Sequence, residues 1–102
     1  VSGAPTPIVL CCLLWAKPGE RAGLRSYEDA VIQLLGDHGA EILERLVSNV
    51  APGQPDEVQV YRFPSQEAFD SFLADPRRLE RAAERDRVVA RTELFPVRRL
   101  LE

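Results

Sequence analysis

Residues Glu57–Pro76 read EVQVYRFPSQEAFDSFLADP. Val58 and Val60 fall on one face of an extended segment, and Tyr61 and Phe63 on the other, so Glu57–Phe63 is predicted to be a strand. Pro64 stops it and presets φ for a helix start, with Ser65, Gln66 and Glu67 favouring a first turn. Ala68, Phe69, Phe72 and Leu73 then form an apolar stripe at helical spacing. Asp75-Pro76 is an N-cap followed by proline at the first helical position. A second helix is therefore expected through Arg87, with Leu79, Ala82 and Ala83 inward and the arginines outward. This strand-to-helix joint fixes how the flanking segments are placed.

Upstream, Ile8–Ala16 (IVLCCLLWA) is apolar at every position. A strand covered on both faces has this composition, so it is expected at the centre of a sheet. It is too short to span a bilayer. The preceding VSGAPTP lacks a basic residue and makes a poor secretory signal. Residues 1–7 read as a flexible N-terminal arm and 8–102 as a single domain.

Lys17-Pro18-Gly19-Glu20 reads as a connection. From Arg21 to His38 the period becomes helical. Leu24, Tyr27, Val31, Leu34, Leu35 and His38 share one face, and Arg25, Glu28, Asp29 and Gln33 mostly take the other. Gly39 stands where a left-handed C-terminal cap is expected. Ala40–Ser48 fits helix or strand by pattern; Gly39 before it and the turn-rich Asn49–Asp56 after it favour a strand. Val89–Leu100 is the last predicted strand, and Pro96 places it at a sheet edge or a bulge.

The order is strand, helix, strand, strand, helix with a helical extension, strand. That is the α+β, ferredoxin-like βαββαβ arrangement, an antiparallel four-stranded sheet with its first and third strands in the middle. Helices on one face leave the other open. In water that face should alternate polar and apolar along the first strand, yet Val9, Cys11, Leu13 and Trp15 are all apolar. A second copy packed on it, as a two-fold homodimer, is the simplest cover.

Composition excludes several classes. The net charge is −3 with both signs mixed along the chain, which argues against a nucleic-acid partner. Adjacent Cys11 and Cys12 point to opposite faces of a strand, so they are not expected to form a disulfide. No zinc-ligand spacing, phosphate-binding glycine loop or Ser-His-Asp set is present, so neither metal nor cofactor is expected. Reduced cysteines fit the cytoplasm, and no membrane partner is expected.

The block VQVYRFPSQEAFDSFLADP, with IVLCCLLWA before it and GDHGAEILERL between, resembles a family of small uncharacterised proteins in the dimeric α+β barrel superfamily. That superfamily also holds the antibiotic-biosynthesis monooxygenases and related cyclases. The likeness is carried mainly by Phe63-Pro64-Ser65, Glu67-Ala68 and Pro76. After Pro76 the family usually has an aromatic residue, where Arg77-Arg78-Leu79 stands here. The resemblance implies a barrel-like dimer with a cavity between sheet and helices. It also implies chemistry without a cofactor, such as monooxygenation or cyclisation in secondary metabolism.

Four residues are candidates for binding a small, partly apolar molecule. Trp15, Tyr27 and Tyr61 could line an aromatic pocket or serve as core and interface packing. Arg62 could reach a ligand anion or pair with Glu41, Glu44 or Glu93. His38, the only histidine, is the catalytic candidate as a base at the cavity mouth. Its alternative role is a helix C-terminal residue stabilised by the dipole. Without catalysis, the protein would be a dimerisation or accessory protein with a filled core.

Overall fold

The computed structural model describes residues 6–49 and 51–101. The expected N-terminal arm, apart from Thr6 and Pro7, lies outside them. The elements are β1 (Ile8–Ala16), α1 (Arg21–Ile32), a 3₁₀ turn (Leu35–His38), β2 (Glu41–Val47), β3 (Glu57–Phe63), α2 (Gln66–Leu73), α3 (Pro76–Leu79), α4 (Ala82–Val88) and β4 (Val89–Pro96). The strands form one antiparallel sheet in the order β2-β3-β1-β4. The first and third strands hold the centre, as the pattern predicts.

Register decides which residues share a face. Leu10 pairs with Tyr61, and Cys12 pairs with Gln59 and Leu94. On β1, Leu10, Cys12 and Leu14 are buried on the side covered by helices. Phe63 is fully buried there, edge-on to Tyr61 and Phe69 at 5.5 and 5.1 Å. The alternate residues, Val9, Cys11, Leu13 and Trp15, are half-buried on the open face. Leu46, 51% exposed, joins them from β2, opposite Val58, and Phe95, 40% exposed, joins from β4, opposite Cys11.

Local chemistry fixes the joints. Ser65 caps α2 by accepting from the Ala68 amide at 3.1 Å, and Asp75 caps α3 by accepting from the Arg77 amide at 2.9 Å. Gly39 has φ +71°, and a Cβ there would stand 3.2 Å from the Pro64 ring. The left-handed turn favours glycine here, and a side chain would also press on the β3–α2 joint. At Gly23 a Cβ would meet the Val88 side chain at 2.9 Å, so this glycine lets α1 approach α4 closely.

The structure corrects four expectations. The helix from Arg21 ends at Ile32 and resumes as the 3₁₀ turn at Leu35; Gly36 weakens a continuous α-helix at that point. The helix from Pro76 breaks after Leu79 and restarts at Ala82. Leu79, Ala82 and Ala83 are consequently exposed rather than inward, and Val88 is the residue α4 buries. The last strand stops at Pro96, well before Leu100. Pro96 lacks the amide a further ladder bond needs, although the Val97 amide still reaches the Val9 carbonyl. Finally, Glu28 is 7% exposed rather than on the outer face.

Candidate functional site

The helix-covered face of the sheet is not fully packed. A cavity of about 50 Å³ lies between it and the helices, lined by Tyr27, Glu28, Gln59, Tyr61, Cys12 and Arg85 among others. Leu14, Val31, Leu35 and Phe72 complete an apolar wall. Three spacings build this site. Tyr27, Glu28 and Val31 lie on the inward arc of α1; Gln59 and Tyr61 alternate inward on β3; Cys12 and Leu14 do so on β1. At one margin Arg85 of α4 donates from Nη2 to the Thr92 hydroxyl at 3.3 Å, a long and exposed contact.

A buried polar network backs the cavity. Gln59 Nε2 donates to Glu28 Oε1 at 2.9 Å and to Glu57 Oε2 at 2.8 Å. Glu57, 2% exposed, is further neutralised by Arg45 Nε at 2.5 Å and Arg25 Nε at 3.5 Å. Arg45 also reaches Asp29 at 2.5 Å. Burial pushes the Glu28 carboxyl above its ordinary value, against the hydrogen bond from Gln59; the neighbouring Glu57 charge adds to the rise. Burial raises the Cys12 thiol to about 11 and the Tyr61 phenol further, with the facing Cys12 adding to the latter. Both groups are neutral at pH 7.

The candidates read from sequence separate into three places. Tyr27 and Tyr61 come together in the cavity wall. Trp15 is on the open face, where its indole donates to the Gly53 carbonyl at 3.2 Å and Arg91 lies 4.4 Å over its ring. Arg62 is also on the open face and pairs with Glu41, its cross-strand neighbour. His38 is not a lining residue. Its Nε2 is 2.8 Å from Asp75 Oδ2, and its ring meets Phe72 edge-on at 5.8 Å.

Sequence reasoning missed Glu28, Gln59 and Glu57. On β3, strict alternation puts Glu57 and Gln59 on the face of Tyr61 and Phe63. Two polar residues on the core side of a central strand were the available signal for a buried network. Among the described residues no group of three or more His, Cys, Asp or Glu side chains could hold a metal ion.

No family model and no curated protein sequence matches the chain. Solved structures do. A protein of unknown function from Rhodopseudomonas palustris, RPA0582, superposes with a TM-score of 0.75 at 18% identity, over 94% of this chain and 84% of that one. A candidate antibiotic biosynthesis monooxygenase from Bacteroides thetaiotaomicron gives 0.72 at 16%, over 97% and 94%. SnoaB, a cofactor-independent oxygenase from Streptomyces nogalater, gives 0.68 at 16%, over 93% and 96%. At these identities the likeness is one of fold: the chain shares its ferredoxin-like α+β fold with these proteins.

Proposed function

We propose that the protein is a cytoplasmic homodimer that binds a small, partly apolar molecule between sheet and helices. Its chemistry would be cofactor-independent monooxygenation or cyclisation. One observation carries this reading: Tyr27, Glu28, Gln59, Tyr61 and Cys12 converge on a space that apolar side chains would fill at lower cost. Two phenols and a carboxylate set against an apolar wall suit a hydroxylated aromatic or enolic ligand. The fold shared with SnoaB, described as a cofactor-independent oxygenase, supports the same class of chemistry.

The homodimer is supported by the apolar open face. Val9, Cys11, Leu13, Leu46, Val60 and Phe95 lie on it without a helix above them. A shallow groove of about 490 Å³ runs there between Cys11, Val60 and Glu44 and the C-terminal residues 97–101. Leu100 and Leu101 are more than four-fifths exposed in that segment. A twin molecule would cover this surface. Two unpaired cysteines fit a reducing compartment, and among the described residues no helix is long and apolar enough to cross a membrane.

A second reading, a non-catalytic dimerisation or accessory protein, is favoured by the size of the cavity. About 50 Å³ holds one or two water-sized groups, not an aromatic ring. On the primary reading the polar end of the ligand enters and the Arg85–Thr92 contact yields to admit the rest. Amide and methyl NMR spectra during titration with phenol, 1-naphthol and 4-nitrophenol separate the two. Saturable shifts at Tyr27, Val31 and Tyr61 support binding; unchanged spectra with all three compounds support the accessory role.

A further inference from the structure

One carboxylate of the cavity, Glu28, has no ion-pair partner among the described residues, and Arg45 and Arg78 act on it only from a distance. Gln59 tethers Glu28 and Glu57 with the two hydrogens of a single amide. Glu57 also has two guanidinium partners, Arg45 and Arg25, whereas no salt bridge is formed by Glu28 among the described residues. The hydrogen bond to Glu28 is made at Oε1, and the residue lines the cavity. The other lining groups that titrate are poor proton acceptors at neutral pH. Cys12 and Tyr61 are already protonated, Tyr27 is likewise raised by burial, and Arg85 is a cation. His38 stands outside the lining, beyond the Phe72 ring.

We infer that Glu28 is the proton acceptor of this cavity, taking the acidic proton of a small phenol or enol whose hydroxyl end enters beside Tyr27 and Tyr61. This rests on the small-molecule reading proposed above. In the step, the ligand O–H bond breaks and its electron pair stays on oxygen. The proton passes to the Glu28 carboxylate, giving a neutral carboxylic acid and a phenolate or enolate. No oxidant or reductant is consumed. The cavity's charge is moved, not increased, because one negative charge passes from carboxylate to ligand. Arg85 and Tyr27 share the wall with Glu28, Arg78 of α3 and Arg45 act on its carboxyl as nearby positive charges, and Glu57, paired with Arg45, adds negative charge behind it. A carboxyl whose burial favours its neutral form is suited to hold the proton once taken.

4-Nitrophenol is the probe, because it is yellow as the phenolate and colourless as the phenol. At a pH where the free probe is mostly colourless, wild-type protein should turn the bound probe yellow. Glu28→Gln keeps an oxygen for Gln59 to donate to; with the probe raised until dialysis shows the variant occupied, it should lose the yellow absorbance. Binding is read by equilibrium dialysis. Should Glu28→Gln not fold, the carboxyl ¹³C resonance of Glu28 in wild type decides, moving to its protonated position as yellow appears. A bound probe that stays colourless, or one equally yellow with Glu28→Gln, overturns the proposal. Absence of any binding to wild type contradicts the pocket reading itself, and the proposal with it.

Discussion

His38 Nε2 lies 2.8 Å from Asp75 Oδ2, joining the 3₁₀ turn before β2 to the N-cap of α3 across 37 residues of sequence. Asp75 is 5% exposed and also accepts from the Arg77 side chain through both carboxylate oxygens. The carboxylate therefore ties the 3₁₀ turn to the start of α3. Removing the imidazole leaves a buried acceptor oxygen with one partner fewer. His38→Ala should lower stability by about 2 kcal/mol in urea unfolding, in line with hydrogen bonds to charged groups. An unchanged midpoint would mean that His38 is held for another role.

The same carboxylate sets an acid limit. Hydrogen bonds from Arg77, then from His38, hold Asp75 well below the usual carboxylate range. The folded chain thus binds this proton less readily than the unfolded chain does. The stability so gained is present above the ordinary carboxylate value and disappears as pH falls through the lower folded value. Asp75→Asn should therefore lower the melting temperature at pH 7 and flatten its fall in strong acid. A parallel fall in both proteins would count against the linkage.

Glu28 has the opposite sign. Burial raises its carboxyl, so its contribution favours the folded state below the ordinary carboxylate value and is lost as pH rises through the folded one. Glu28→Gln removes that loss and should raise the melting temperature at pH 7, with little difference near pH 4. A lower melting temperature for the variant at pH 7 would show that Arg78 and Arg45 stabilise the charge more than burial opposes it.

Phe63 anchors the core at the end of the central strand. It is fully buried and meets Tyr61, Phe69 and Phe72. Phe63→Ala should cost about 4 kcal/mol in urea unfolding, from lost burial and the void left behind. A cost near that of a surface substitution would place the folding core elsewhere.

Much of this fold was legible because its signals are local. Pro64-Ser65 and Asp75-Pro76 mark helix starts by chemistry that acts within three residues, and both caps form. The apolar run of β1 likewise marks a central strand without help from the rest of the chain. Glu28 was misplaced because a helical wheel weighs polarity, whereas its burial depends on Gln59 reaching it from a strand 31 residues away. The breaks at Gln33 and at Glu80–Arg81 have no proline to announce them. Of the aromatic set Trp15, Tyr27 and Tyr61, the two tyrosines share the cavity wall and Trp15 alternates to the other face of β1; nothing in their spacing gave the volume between them.

The open sheet face needs a cover. Leu13 lies on it between Val58 and Glu93, and a carboxylate there would have to be desolvated against a partner. Sedimentation equilibrium at micromolar concentration measures this directly. The wild-type chain should run at twice its mass of 11.4 kDa, and Leu13→Asp should run as a single chain or fail to fold. A wild-type protein that stays monomeric across that range, with its sheet face in water, would contradict the account.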